Sequence, residues 1–165
     1  KSKLAGEQLI IDRCKKYVII RTSWLYSKYG NNFVKKIIDL SKINESINVV
    51  LDEIGTPTNA TDLAKDMLFI AEQKLGSGSK IISKLYHYAN GGSVSRFEFA
   101  KKIVEYAEID CKVNPVNSDY FNFAAKRPKN SSLDQSKIIH DQELSIRSWD
   151  VALKECIKNI LSDEK

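Results

Sequence analysis

Apolar residues recur at helical spacing in five segments of this chain, near 2–15, 32–43, 61–75, 95–107 and 148–161. Spacings of three and four residues place such positions along one side of a helix, so each segment predicts an amphipathic helix. Two of these apolar stripes consist of Leu4, Ala5, Ile11 and Cys14 in the first helix and of Leu63, Ala64, Met67, Leu68, Ala71 and Leu75 in the third.

Two of the predicted helices have side chains suited to capping their first turn. Ser95 and Glu98 form a capping box at the start of the fourth helix, where each side chain can satisfy a free backbone amide. At the third helix, Thr58 and Asn59 are both candidates for the N-cap. The first helix differs, because Lys1 is not a capping residue. We therefore expect that helix to continue from residues that precede Lys1.

Three short apolar runs between the helices predict β-strands, at 17–20, 47–51 and 85–89. The run at 17–20 is apolar without alternation, which is typical of a strand buried on both faces of a parallel sheet. Strands that alternate with helices indicate an α/β fold. Turns are predicted at 76–79 and 90–92, where glycines occur close together.

Composition narrows the class of protein without identifying it. The chain has 165 residues, of which 42% are hydrophobic and 28% charged, and this ordinary globular composition argues against intrinsic disorder. Its lysines are spread over several helices among acidic residues, so the net charge of +5 does not form the basic stripe of a nucleic-acid binder. No apolar run is long enough to span a bilayer. We expect neither nucleic acid nor a membrane as a partner.

The cysteines and histidines give little sign of catalytic or metal chemistry. Cys14, Cys111 and Cys156 form no Cys-x-x-Cys pair, which predicts buried thiols in a reducing cytoplasm. His87 and His140 lack metal-ligand spacing with each other or with a cysteine, so no metal site is expected. The sequence also lacks a nucleophile elbow and a P-loop. These residues favour a binding surface over an active site.

Three irregular segments combine polar, aromatic and backbone-constraining residues. Residues 21–26 follow the first predicted strand, where ligands bind in open parallel sheets, and Trp24 there is either a platform for a sugar or base or part of the core. Residues 52–59 fit a binding loop or a plain loop with a helix cap. Residues 125–134 fit a solvated basic loop, or a phosphate site in which Arg127 supplies its planar guanidinium.

Taken in chain order, five motifs resemble the dTDP-4-dehydrorhamnose reductase family of extended short-chain dehydrogenases. They are Ser2-Lys3-Leu4-Ala5-Gly6-Glu7, Arg21-Thr22-Ser23-Trp24-Leu25-Tyr26, Gly30-Asn31-Asn32-Phe33-Val34, Asp52-Glu53-Ile54-Gly55-Thr56-Pro57-Thr58 and Arg127-Pro128-Lys129-Asn130-Ser131 with Leu133-Asp134. The resemblance covers the chain from Lys1 to about Leu161. It implies reduction of the 4-keto group of dTDP-4-dehydro-L-rhamnose, with NADPH or NADH as the cofactor.

The resemblance also implies how the chain is divided. The fold expected is the C-terminal part of a Rossmann-type NAD(P)-binding fold plus a smaller α/β substrate-binding domain. Residues 1–28 would form the end of the Rossmann-type core, and residues 29–165 would be mainly the sugar-nucleotide-binding domain, with 85–90 returning to the core sheet. The tyrosine that supplies the proton is expected four positions before Lys3, upstream of this chain. The chain alone is therefore expected to be a C-terminal fragment without reductase activity.

Individual roles follow from the same resemblance. Lys3 is the expected catalytic residue and, with Thr22 and Ser23, a cofactor-binding residue. The lysine ammonium would hydrogen-bond the nicotinamide ribose and lower the tyrosine's pKa. The expected substrate-binding residues are Trp24, Asn32, Gly55, Thr56, Pro57, Arg127 and Asn130, with Arg127 at the diphosphate. Glu53 departs from the family, where glutamine is more usual, and this puts the local hydrogen bonding in doubt.

Two other functions are compatible with these motifs. One is a non-catalytic regulatory homologue of the same fold, as in the β-subunit of methionine adenosyltransferase. The other is a reductase or epimerase of a different sugar nucleotide, for example a UDP-linked sugar. The expected partner is a dTDP-linked deoxysugar, the candidate assembly is a homodimer, and the expected location is the cytoplasm.

Overall fold

Six α-helices, nine short β-strands and one 3-10 turn make up the part of the chain that the computed structural model describes, residues 1–75, 84–122 and 127–163 (without the side chains of residues 74 and 75). The helices are α1 (Ser2–Arg13), α2 (Phe33–Ile43), α3 (Ala60–Leu75), α4 (Arg96–Tyr106), α5 (Ser136–Gln142) and α6 (Trp149–Asp163). The strands are β1 (Val18–Thr22), β2 (Leu25–Tyr26), β3 (Ser46–Val50), β4 (Ile54–Gly55), β5 (Thr58–Asn59), β6 (Lys84–Tyr88), β7 (Val94–Ser95), β8 (Lys112–Val116) and β9 (Asn130–Ser131). The 3-10 turn is Ser118–Tyr120.

Most strand pairs are parallel, as an α/β fold requires. β1 pairs with β6, β2 with β5, and β3 with β8, all in parallel. β4 lies between an antiparallel neighbour, β7, and a parallel one, β9. The pairing of β1 with β6 aligns Val18 with Lys84 and Thr22 with Tyr88. It joins the start of the chain to residues 84–88, whereas β3 and β8 form a separate sheet.

The main core lies where three helices pack together over β3. α4 contributes Phe99, which is 1% exposed and contacts the rings of Tyr26, Phe33 and Trp149. α2 and α6 cover it with apolar side chains, and the cluster continues to β3 through Ile47. A second, smaller cluster lies under β6 and consists of Ile70, Tyr86, Tyr88, Ile138 and Leu144. Burial of these apolar side chains is the main driving force for the fold.

A buried polar network links β5, α3 and the turn after β6. Asn90 is fully buried; its amide oxygen accepts a hydrogen bond from Asn59 N (2.7 Å), and its amide nitrogen donates to Asp62 Oδ2 (2.7 Å). Arg147 donates two hydrogen bonds of 2.8 Å to the Asp62 carboxylate and also pairs with Glu155. Every member of the network is satisfied, and a satisfied network of this kind fixes one arrangement of the segments that it joins. The network holds Asn59 of β5 against Asn90 in the turn after β6.

The helices and caps agree well with the sequence pattern. All five predicted helices are present, with ends within a few residues of those expected. The Ser95 hydroxyl accepts from Glu98 N at 3.0 Å, and Asn59 Oδ1 accepts from Thr61 N at 2.8 Å, so Asn59 is the cap of α3. The elements that were not predicted are the short helix α5, the five-residue strand β8, which contains Pro115, the 3-10 turn, and the two-residue strands β2, β4, β5, β7 and β9. The predicted turn at 76–79 lies outside the described residues.

Among the described residues, the apolar stripe of α1 is exposed, and that of α3 is exposed except at the partly buried Leu63. α1 has no buried residue, and Leu4 is 63% exposed. In α3, Met67 and Leu68 are exposed, while Ile70 and Asp62 are the buried positions. The prediction that the first strand is buried on both faces is also wrong for the described residues, because only Ile19 of β1 is buried. The pattern identified the helices and the strand but not what covers them.

The cysteines only partly match the prediction of buried thiols. Cys156 is buried, Cys111 is partly exposed and Cys14 is exposed. The prediction is wrong for Cys14 because it follows α1, whose residues lie at the surface. Burial raises the pKa of the Cys156 thiol to about 11. Within the described ranges, no helix is both long and apolar enough to cross a membrane.

Candidate functional site

The segment that follows β1 meets the loop between β4 and β5 through a chain of hydroxyl hydrogen bonds. Thr22 Oγ1 donates to Thr58 Oγ1 (2.9 Å), which in turn donates to the backbone oxygen of Ser23 (2.7 Å). Ser23 Oγ donates to Thr56 O (2.7 Å) and lies 3.0 Å from Thr56 Oγ1. These bonds fix Thr22 and Ser23 at the carboxyl end of β1, where ligands bind in open parallel sheets.

Trp24 sits next in the chain in an unusual backbone conformation. Its φ is +45°, which a bulky residue rarely adopts. Its ring lies over Gly55, where an added Cβ would come within 2.5 Å of Trp24 Cε2. The indole also packs on Phe99 at a centroid distance of 6.3 Å and remains partly exposed. Trp24 thus packs on the core and is also partly open to solvent, and its role as a platform for a sugar or base stays a prediction.

A buried carboxylate, Glu53, has two arginines as neighbours, and one of them lies over this ring. Glu53 is 4% exposed and accepts a hydrogen bond from Arg96 Nε at 2.8 Å. The Arg96 guanidinium carbon lies 4.3 Å from the Trp24 ring centroid, close enough for a cation–π contact. Arg127 Nη1 lies 3.8 Å from the same Glu53 oxygen, and its side chain is half exposed. Glu53 thus has two guanidinium groups as neighbours, of which Arg96 also contacts the indole.

The segment that carries Arg127 is tied to β4 and to the residues before it. Ile54 N donates to Lys129 O (2.7 Å), Ser131 Oγ donates to Ile54 O (3.2 Å), and Leu133 N donates to Thr56 Oγ1 (3.3 Å). Residues 127–133 therefore lie alongside the 52–56 segment. Residues 125 and 126 of the predicted basic loop lie outside the described residues.

Asp52 anchors the residues that lead into this irregular region. Its carboxylate accepts hydrogen bonds from Ser118 N (2.8 Å) and Ser118 Oγ (2.9 Å), and Lys129 Nζ lies 3.9 Å away. Although partial desolvation opposes it, the Ser118 hydrogen bonds keep the pKa of Asp52 below its ordinary value. Asp52 thus holds Ser118, and Asp52 and Glu53 lie close to Lys129 and Arg127 respectively.

Several of the expected substrate-binding residues have structural partners in this chain. Gly55, Thr56 and Pro57 are buried; Gly55 lies against Trp24, Thr56 accepts a hydrogen bond from Ser23, and Pro57 O accepts one from Asn90 N. Asn130 is exposed, and its Oδ1 accepts from Ser132 N at 2.9 Å. The expected substrate role of these residues stays a prediction.

Asn32 lies at a different place on the surface. Its Oδ1 caps α2 by accepting from Lys35 N (3.2 Å), and its Nδ2 donates to Ser27 O (2.8 Å). It lines a cavity of about 630 Å³ whose other residues are Asn31, Lys35, Lys36, Asp39 and Leu40. Among the described residues, no side-chain hydrogen bond of Asn32 reaches Trp24 or the residues that contact Trp24. Phe33, in the first turn of α2, contacts Arg96, because its ring centroid lies 5.2 Å from the Arg96 guanidinium carbon.

Lys3 is exposed on α1, and an ion pair joins that helix to β1. Arg21 Nη2 donates to Glu7 Oε2 at 2.6 Å, and Arg21 Nε donates to Glu7 Oε1 at 3.0 Å. The hydrogen bond and the charge of Arg21 hold the pKa of Glu7 below its ordinary value. Arg21 directly precedes Thr22 in β1, so the ion pair joins α1 to the strand that carries the hydroxyl chain.

Sequence reasoning missed the roles of Arg96, Thr58 and the Glu7–Arg21 pair. Glu7 and Arg21 both stand in the quoted motifs, but nothing local in the sequence indicates that they pair. Arg96 is separated from Glu53 by 43 positions and has no sequence signal of its own. Among the described residues there is no group of three or more His, Cys, Asp or Glu side chains that could hold a metal ion.

Comparison with known proteins gives a consistent result. The family model for the RmlD substrate binding domain matches residues 1–162. A dTDP-4-dehydrorhamnose reductase from Aggregatibacter actinomycetemcomitans is 36% identical over 93% of this chain and 54% of its own length. One from Sinorhizobium fredii is 33% identical over 100% of this chain and 57% of its own length.

The solved structures agree with the sequence relatives. A crystal structure of dTDP-4-dehydrorhamnose reductase from Bacillus anthracis in complex with NADP is 41% identical, with a TM-score of 0.83 over 96% of this chain and 53% of that one. The expected α/β, Rossmann-related fold class is thereby confirmed. The chain spans about half the length of the relatives that it matches.

Proposed function

Because this chain belongs to the RmlD substrate binding domain family, we propose that the protein containing it is a dTDP-4-dehydrorhamnose reductase that uses NADPH or NADH. The proposed reaction reduces the 4-keto group of dTDP-4-dehydro-L-rhamnose to give dTDP-L-rhamnose. The proposal rests on the relatives and on one feature of this chain. That feature is the partly exposed Trp24 ring, which lies on Gly55 and under the Arg96 guanidinium, while Arg127 lies near Glu53, the partner of Arg96.

The indole face and the arginines suit the two chemical parts of a sugar nucleotide. An aromatic face packs against a sugar ring or a base, and a guanidinium binds phosphate oxygens through paired hydrogen bonds. Arg127 is the better placed of the two arginines for a diphosphate, because its side chain is 49% exposed whereas that of Arg96 is 18% exposed. In this proposal Arg96 balances the charge of the Glu53 carboxylate and packs on the indole, while Arg127 binds the phosphate groups of the ligand.

The residues at the end of β1 suit the reacting end of the complex. Thr22 and Ser23 are fixed there by hydrogen bonds to Thr58 and Thr56. The reduced nicotinamide would supply a hydride to the keto carbon. Lys3 would bind the nicotinamide ribose and favour the ionised form of the tyrosine expected four positions before it. Thr22 and Ser23 would border the nicotinamide without having to move.

The remaining expectations complete the proposal. The partner is a dTDP-linked deoxysugar, the assembly is a homodimer, and the protein is cytoplasmic. The pairing of β1 with β6 supports placing 85–90 with the Rossmann-type end of the chain and not with the substrate-binding domain of 29–165.

Ligand binding by the intact protein tests the site. We expect calorimetry to show tighter binding of dTDP than of UDP, and Trp24→Leu to weaken dTDP binding about tenfold, within the range for loss of one aromatic stacking contact. Arg127→Met should weaken dTDP binding by a similar factor. Lys129→Met, in the same segment, is the matched control, because the Lys129 side chain is 81% exposed. Equal affinities for dTDP in all three variants and the wild type would refute this site.

A further inference from the structure

α1 carries Lys3 but is attached to the rest of the described protein by few contacts. Glu7 is the one residue of α1 that is not classed as exposed. Among the described residues, the side-chain hydrogen bonds that leave this helix all join Glu7 to Arg21. The apolar side chains Leu4 and Leu9 of α1 are each more than half exposed. Among the described residues, this ion pair is therefore the main polar attachment of α1.

The geometry of this pair is more restrictive than that of a typical surface ion pair. Arg21 uses both Nε and Nη2, at 3.0 Å from Oε1 and 2.6 Å from Oε2, so the guanidinium and carboxylate planes are aligned. The Glu7 side chain is 19% exposed, which reduces screening by solvent compared with a fully exposed pair. Lys28–Asp163, by comparison, is held by one contact of 3.0 Å to a carboxylate that is 59% exposed.

The Glu7–Arg21 pair joins α1, which carries Lys3, to β1, which carries Thr22. Lys3 and Glu7 are four residues apart in a helix, so they project from the same face. Arg21 is adjacent in β1 to Thr22, the first residue of the hydroxyl chain. A rotation of α1 about its axis would carry Lys3 away from the end of β1, and a two-point ion pair at Glu7 opposes that rotation.

We propose that Glu7 and Arg21 are positioning residues that set the rotation of α1 and so direct the Lys3 ammonium toward the cofactor. Neither residue is assigned contact with substrate or cofactor. This inference rests on the proposed function, because Lys3 has a task only in the reductase. Its structural part, the attachment of α1 by the ion pair, can be measured separately.

The test uses the intact protein with Arg21→Met, Arg21→Lys, the reversed double variant Glu7→Arg/Arg21→Glu, and Arg13→Met as the control. Arg13→Met removes the same charge from the exposed last turn of α1. We expect Arg21→Met to lower kcat by about 10-fold to 100-fold, as a misplacement of about 1 Å can, while the KM for the sugar nucleotide changes less than about twofold. Its NADPH affinity should also fall, and its dTDP affinity should not.

The other variants make the role specific. Arg21→Lys keeps the charge but loses the two-point fork, so it should recover only part of kcat. The reversed double variant restores the pair and should recover kcat beyond either single change. Amide hydrogen exchange of residues 5–13 should speed up in Arg21→Met and stay unchanged in Arg13→Met, with exchange in α2, α4 and α6 unaffected in both.

Two results would overturn the proposal. One is an Arg21→Met variant whose kcat and NADPH affinity match those of Arg13→Met. The other is unchanged exchange in α1, which would show that other contacts hold the helix. Absence of turnover in the wild type would instead reject the proposed reductase, and the α1 exchange and NADPH affinity would then still decide whether the pair positions this helix.

Discussion

Replacing Gly55 by alanine should disturb the candidate site through one methyl group. A Cβ at this position would lie 2.5 Å and 2.6 Å from Trp24 Cε2 and Cζ2, and 2.8 Å from Ser131 Oγ. Since an ordinary contact begins near 3.4 Å, the indole would have to move by about 1 Å. Gly55 does not have a positive φ, so alanine brings no backbone strain of that kind. The steric effect is therefore isolated.

The expected cost follows from overpacking. Forcing a methyl group into a filled space costs about 1–3 kcal/mol, and we expect Gly55→Ala to lower the free energy of unfolding by this amount. Displacement of the indole should also weaken dTDP binding by the intact protein. Urea denaturation followed by tryptophan fluorescence measures the first effect, and calorimetry measures the second.

Two further variants show whether the clash is the cause. Gly6→Ala, in the middle of α1, adds a methyl group that meets no described atom within 4 Å, and the helix propensity of alanine should leave stability equal or higher. Gly55→Ala/Trp24→Leu removes the large ring and should be less destabilised than the sum of the single changes. If the free energy of unfolding of Gly55→Ala lies within about 0.5 kcal/mol of the wild-type value, the close contact between Gly55 and Trp24 is wrong.

Three other predictions concern charge and thiol chemistry. Arg96→Met should destabilise the protein by about 3–5 kcal/mol in urea denaturation, because it removes the main partner of a buried carboxylate, and a loss below about 1 kcal/mol would contradict that environment. The Lys84 ammonium, with smaller help from other hydrogen bonds, lowers the pKa of Asp141 to about 2, so this ion pair should stabilise the fold above about pH 4 and lose its effect as the pH falls toward 2. Asp141→Asn should therefore flatten the pH dependence of stability between pH 4 and 2, and an unchanged slope would refute the pairing. Iodoacetamide at pH 8 should label Cys14 in the native protein but Cys156 only after denaturation, because burial raises the pKa of the Cys156 thiol to about 11, and equal native labelling would show that this burial is wrong.

Local sequence patterns accounted for most of the helices and for their caps. The capping box at Ser95 depends on residues three positions apart, and the apolar spacing in α4 depends on a single turn of helix, so both can be read from a short window. β8 was missed because Lys112–Val116 contains Pro115 and polar residues, and its pairing with β3 comes from a distant part of the chain.

The contacts of the candidate site could not be predicted in the same way. The order of the motifs predicted that Trp24, Gly55 and Arg127 belong to one binding site. The structure places Trp24 and Gly55 in contact. The ion pair of Glu53 with Arg96 joins residues 43 positions apart, and no local pattern encodes it. The exposed stripe of α3 shows the opposite limit. Met67 and Leu68 belong to an apolar stripe with the spacing of a buried helix face, but both are exposed among the described residues. The spacing alone does not show which residues cover that face.

Turnover by the intact protein tests the central claim most directly. With dTDP-4-dehydro-L-rhamnose as substrate, we expect the protein to oxidise NADPH or NADH and to form dTDP-L-rhamnose. Lys3→Met should lower kcat by about 10²-fold or more, as expected for loss of a group that supports proton transfer, and Arg13→Met should not. Binding of dTDP without turnover with either cofactor would contradict the reductase and point to a binding or regulatory protein of the same fold.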